Sequence, residues 1–255
     1  MKGLPARTGI DWLKQGFGLF KQQPGILMML IFANFMVTIL LVMLPVLGVI
    51  VAYLAMPSFT MAIQQSCRMI DNGERVHPRV LLTGFQKEAI GPLFKLGLVY
   101  LGIVIVLALA VIPFIDIEAV KAAMKMMEAK KQPVVDGRTA LAFTMFFLVL
   151  AVSTLLLSFA PGLTYWKRMP TFKAIFYSVF AVLGSKAPIA VMLVVWIALS
   201  ALLHQVFAMI FGTAAIAQVI GTWITFVSIL IFQCATYAAY KQILGAPEDA
   251  PKAAR

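Results

Sequence analysis

A chain of 255 residues that is 62% hydrophobic and 12% charged, with a mean hydropathy of +0.96, lies outside the composition of soluble globular domains, which are about half apolar and about a quarter charged. Its net charge of +11 does not point to nucleic acid, because the basic residues are spread over four segments beside apolar runs rather than gathered in one folded module. Orientation in a membrane and attraction to anionic lipid account for them instead.

Residues 1–25 are polar and amphipathic, and the apolar run that follows has no small-residue cleavage site, so no cleavable signal peptide is expected. Within TGIDWLKQGFGLFKQQPG, Thr8 and Asp11 form a capping-box signal, and Ile10, Leu13, Phe17 and Phe20 share one helical face. Lys14, Lys21 and Gln22 occupy other faces, and Pro24 closes the helix. From Ile26 to Cys67 no Asp, Glu, Lys or Arg occurs. That run is about twice the roughly 20 residues a spanning helix needs, and Pro45 and Gly48 interrupt it, which predicts spans near 26–44 and 47–66. Asn34 and Thr38 share a face in the first span, where hydrogen bonding between helices is the commoner use of such residues. Pro57 should kink the second.

The segment PRVLLTGFQKEAIGP predicts another amphipathic helix, opened by Pro78 and closed by Pro92, with Leu81, Leu82, Phe85 and Ala89 apolar. A span near 93–115 follows. From Ile117 to Lys130, Ile117, Val120, Met124 and Met127 form a stripe opposite Glu118, Lys121, Lys125 and Glu128, which predicts a surface helix. Gln132, Pro133, Asp136 and Gly137 then turn the chain into a span near 140–163. The third lead-in, PTFKAIFYSVFAVLGSKAP, has Phe172, Ile175, Phe176, Val179 and Leu183 apolar between Pro170 and Pro188. Charge-free sequence from Ala187 to Tyr240, broken at Gly212 and Thr213, predicts spans near 188–211 and 216–240. His204 shares a face with Ala201, Ala208 and Gly212, and it is expected to hydrogen-bond a neighbour such as Gln218 in a close helix pair. Tyr165 with Trp166, and Tyr237 with Tyr240, precede Lys167 and Lys241 and read as interface anchors.

The chain thus reads as three units of amphipathic helix, span out, turn and span back. If all three pack together, a pseudo-threefold axis along the membrane normal relates them. With the N-terminus inside, sixteen of the 21 Lys and Arg fall in cytoplasmic segments, leaving Lys121, Lys125, Lys130, Lys131 and Arg138 outside. Both termini are therefore expected in the cytoplasm. There Cys67 and Cys234 should be reduced thiols rather than a disulfide.

No GxSxG, HExxH, GxxxxGK[ST], CxxC or GxGxxG occurs, so hydrolase, metalloprotease, nucleotide and redox chemistries have no residues to stand on. His77, near Asp71 and Glu74, reads as part of a solvated loop rather than a metal ligand.

The stretches GIDWLKQGFGLFKQQP and DNGERVHPRVLLTGF resemble a family of multi-pass inner-membrane proteins of Gram-negative bacteria, and loosely the membrane domain attached to some glycerophosphodiester phosphodiesterases. The resemblance implies an inner-membrane location and a helical bundle. It supplies no catalytic residues, since the phosphodiesterase chemistry belongs to a separate soluble barrel.

The expected fold is an all-α polytopic membrane bundle, with six transmembrane helices in three parallel repeats. It forms one membrane domain over 1–255, with units near 8–70, 78–168 and 170–243 and a disordered tail at 245–255. The expected function is non-enzymatic, lipid-interacting or envelope-organising; the alternatives are a passive channel for a small solute, lined by the polar uncharged residues Asn34, Thr38, Gln64, Gln65, Gln205, Gln218 and Gln233, and a membrane partner of an envelope complex. No catalytic, cofactor or metal residues are expected. Candidate lipid-interface residues are Trp12, Lys14, Phe17, Lys21, Phe85, Lys87, Phe176 and Lys173, and candidate intramembrane polar residues are Asn34, Thr38, His204 and Gln218. The expected partners are membrane phospholipid and a membrane or envelope protein, with no nucleic acid.

Overall fold

A computed structural model describes residues 4–116, 118, 121, 126, 137–212 and 215–247. The chain is all-helical among these residues, with α1 Thr8–Gln22, α2 Pro24–Val42, α3 Leu47–Asp71, α4 Lys87–Val111, α5 Gly137–Leu156, α6 Ala160–Tyr165, α7 Thr171–Gly184, α8 Lys186–Phe211 and α9 Ala215–Leu244. Six stretches are long and apolar enough to cross a bilayer: α2, α3, Lys87–Phe114, Gly137–Tyr165, α8 and Gln218–Leu244. Most of the predicted surface helix at 117–130 and most of the predicted tail lie outside the described residues.

The lead-in segments gather at one end of the bundle with most of the described basic residues, here called the basic end. α1 crosses α9 so closely that a Cβ at Gly16 would stand 2.6 Å from Ala235 N and 2.7 Å from Ile231 O, which only a glycine permits. The corner between α1 and α2 is fixed by Gln23. Its Nε2 donates to Glu74 O at 2.7 Å and its Oε1 accepts from Val76 N at 3.0 Å, so one side chain ties that corner to the loop after α3.

The second lead-in differs from its expected form. It is a 3-10 helix over Pro78–Phe85, and α4 starts at Lys87 with Pro92 inside it. Close approach to α3 explains the tight winding: a Cβ at Gly84 would meet Ser58 Cα at 2.5 Å, and Ser58 Oγ donates to Gly84 O at 3.2 Å. Pro92 falls in the second turn of α4, where its missing N–H costs one rung of the helix rather than ending it.

The fourth span is not continuous either. Leu157–Phe159 breaks it between α5 and α6. Pro161 cannot donate to the Leu157 carbonyl and disfavours helical geometry at Ala160. The freed backbone groups find partners on neighbouring helices. Ser178 Oγ donates to Leu156 O at 2.7 Å and accepts from Phe159 N at 3.2 Å, while Tyr100 Oη donates to Leu157 O at 3.3 Å. Irregular backbone at membrane depth is tolerated only when satisfied in this way.

Each lead-in segment packs on a returning span: α1 on α9, the 3-10 helix on α3, and α7 on α6 and α5. The helices do not close a ring, however. α8 packs on α1 and α9, and no substantial contact joins it to α5 or α6 among the described residues.

Candidate functional site

A cavity of about 530 Å³ opens at membrane depth between α2, α3, α4, α5 and α9, with no residue contributed by α8. Along α3 its lining runs from Val49 to Ile63, about 21 Å of helical rise. The walls are mostly apolar and include Phe35, Phe59 and Phe226. None of the lining residues is charged, and none carries an imidazole or a thiol. Several hydroxyls on the walls are spent on their own helices. Thr38 Oγ1 donates to Asn34 O at 2.9 Å, Ser153 Oγ to Val149 O at 2.8 Å and Thr154 Oγ1 to Leu150 O at 2.9 Å.

Rings zip one wall. Phe32 stacks on Trp223 with centroids 6.4 Å apart, and Phe35 meets Phe226 edge-on at 5.1 Å, holding α2 against α9. On the other side α5 and α9 both line the cavity without packing substantially on each other.

One turn beyond the cavity, toward the basic end, an aromatic cluster closes the bundle. Trp166 packs against Tyr240 at 4.9 Å and Tyr237 at 6.0 Å, and Phe159 against Tyr240 at 6.0 Å. Trp166 Nε1 donates to Gln65 Oε1 at 2.7 Å. Trp166, Tyr237 and Tyr240 are buried rather than facing headgroups as interface anchors. Below them Asp71 Oδ2 accepts from Tyr237 Oη at 2.9 Å and from Lys241 Nζ at 2.6 Å, pinning the end of α3 to α9. Cys67 on α3 and Cys234 on α9 are both buried free thiols.

The structure divides the interface candidates. Trp12 is fully buried, and its Nε1 donates to Gln242 Oε1 at 2.6 Å, so it locks α1 to α9 instead of meeting lipid. Phe85 is half-buried edge-on against Phe59 at 5.5 Å. Lys14 and Lys87 are exposed, and Phe17 is exposed with Lys21 Nζ 5.5 Å from its ring centroid. Phe176 is exposed against Phe180 at 4.4 Å, and Lys173 lies over Tyr177 at 6.0 Å.

The intramembrane candidates divide too. Asn34 and Thr38 line the cavity, whereas His204 and Gln218 do not. His204 Nε2 pairs with Thr225 Oγ1 at 3.1 Å and its Nδ1 with Ser200 O at 2.9 Å, so its partner across the helix pair is Thr225 and not Gln218. Sequence reasoning missed Tyr53, Thr60 and Tyr100 on the cavity wall, because their spacing is that of ordinary core positions.

No family model matches the chain, and no solved structure matches it. The likeness to the membrane domain of glycerophosphodiester phosphodiesterases accordingly gains no support. The chain is 27% identical over 262 residues to a probable inner membrane protein of Burkholderia thailandensis, covering 97% of this chain and 95% of that one. Six apolar spans and this likeness define a multi-pass inner-membrane protein.

Proposed function

We propose that this is a non-enzymatic lipid-interacting protein whose basic end lies in the cytoplasm and grips the anionic inner leaflet. The observation that carries this reading is α7. Phe172, Phe176, Phe180 and Leu183 lie along one face and are between 52% and 80% exposed, while Ala174, Ser178, Ala181 and Val182 on the other face are buried. At 14 residues α7 is about 21 Å long, too short to span. Lys173 on α7 and Lys186 just beyond it are exposed beside the aromatic stripe. A helix anchored on one side, aromatic on the other and flanked by lysines suits the boundary between headgroups and acyl chains.

A channel draws less support. Of Asn34, Thr38, Gln64, Gln65, Gln205, Gln218 and Gln233, only Asn34, Thr38 and Gln233 line the cavity, and the aromatic cluster stands across its basic end.

Native mass spectrometry of delipidated protein returned to nanodiscs tests the proposal. Phosphatidylglycerol should rebind more tightly than phosphatidylcholine, and Phe172→Ser with Phe176→Ser should weaken both. Equal rebinding of the two lipids would sink the leaflet-gripping role.

A further inference from the structure

We propose that the cavity binds an uncharged lipid whose head carries carbonyl or hydroxyl oxygens, with its chain leaving between α5 and α9. This goes beyond the grip of α7 on the leaflet and does not depend on it.

Four side chains motivate the proposal. The carboxamides of Asn34 on α2 and Gln233 on α9, and the hydroxyls of Thr60 and Tyr53 on α3, line the cavity and make no hydrogen bond among the described residues. Their neighbours Thr38, Ser153 and Thr154 donate to their own helices, and Tyr100 to the break at Leu157. A carboxamide facing apolar walls with nothing to bond is costly, and each can both donate to a carbonyl oxygen and accept from a hydroxyl. Oxygen atoms on a ligand would satisfy both walls at once.

The absence of charge on the lining decides the ligand's class. A phosphate drawn into this cavity would lose its water and meet no countercharge, so a phospholipid could place only its tails there and would leave the amides unpaired. An uncharged head meets neither cost.

The polar groups are also staggered. α3 and α9 run in the same direction, and Asp71 near the end of α3 is bonded by Tyr237 and Lys241 of α9. Tyr237 lies about one turn past Gln233 whereas Asp71 lies about three turns past Thr60, so Gln233 sits nearer the basic end than Thr60. Phe35, Phe59 and Phe226 flank the interval. The geometry suits a head reaching between two polar levels past aromatic walls, as small-molecule sites combine apolar surface with a few placed polar groups.

The test uses delipidated full-length protein in micelles with three probes: a diacylglycerol, a short-chain prenylated benzoquinone and phosphatidylglycerol. Native mass spectrometry should show one copy of an uncharged probe retained, and which of the two it is identifies the source of the oxygens. Asn34→Leu and Gln233→Leu should each weaken retention about tenfold, the worth of one hydrogen bond in a closed site. Phosphatidylglycerol retention should not change in those variants. Thr60→Val, nearly isosteric, and Ala52→Trp, which fills the cavity, keep the test open if either Leu variant fails to fold. Retention of neither uncharged probe, retention indifferent to every variant, or displacement of the uncharged probe by phosphatidylglycerol would overturn the proposal.

Discussion

Trp166 on the chain just after α6 and Gln65 on α3 are joined by a 2.7 Å hydrogen bond from the indole N–H to the carboxamide oxygen, within the aromatic cluster that closes the basic end. The indole is almost fully buried. Gln65→Leu therefore strands a donor away from water. Loss of about 1–3 kcal/mol is expected, read as a lower melting temperature in detergent, whereas Gln65→Glu, which keeps an acceptor, should lose less. Equal melting of Gln65→Leu and the native protein would mean the bond contributes nothing net.

Gly16 and Gly18 make a matched pair on α1. A Cβ at Gly16 would collide with the α9 backbone, while one at Gly18 meets nothing within 4 Å. Gly16→Ala should destabilise by about 1–3 kcal/mol through overpacking, and Gly18→Ala should stabilise by up to about 1 kcal/mol through helix propensity. Chemical or thermal unfolding of the two variants side by side settles the comparison; similar behaviour would count against the close crossing of α1 and α9.

Cys67 and Cys234 are both inaccessible in the folded protein. Neither should react with a maleimide in mild detergent, and both should react once the protein is unfolded in dodecyl sulfate. Reactivity of either thiol under mild conditions would show that α3 and α9 part at that level.

The orientation can be read by labelling a Cys67→Ala, Cys234→Ala background with an impermeant maleimide in cells whose outer barrier is permeabilised. Lys121→Cys should be modified and Lys173→Cys spared, because positive charge is retained on the cytoplasmic side. The reverse pattern would turn the protein over. Labelling of both would mean that the number of crossings between them is wrong.

The spans were legible because they rest on the cost of charge in hydrocarbon, which every residue from Ile26 to Cys67 and from Ala187 to Tyr240 reports. Helix type and continuity depend on neighbours far along the chain. The 3-10 winding of Pro78–Phe85 answers to Ser58, and the break at Leu157–Phe159 survives because Tyr100 and Ser178 supply its bonds. Trp12 was misplaced for a similar reason: its partner Gln242 lies at the other end of the sequence. The cavity was legible in Asn34, Thr38 and Gln233, wall positions where polarity stands out against an apolar helix. Thr60 and Tyr53 match the pattern of packed positions until the surrounding helices are in place.

Ser178 also sets an order on biosynthesis. It lies 22 residues after Leu156 and 19 after Phe159, so when α5 and α6 first enter the bilayer Tyr100 can serve Leu157 O, but Leu156 O and Phe159 N still lack the hydroxyl that completes the break. The fourth span reaches its final form only after α7 has been synthesised and has docked against it. Until then the nascent chain carries an unfinished segment in hydrocarbon, and an early stop to translation just before Ser178 would leave it that way.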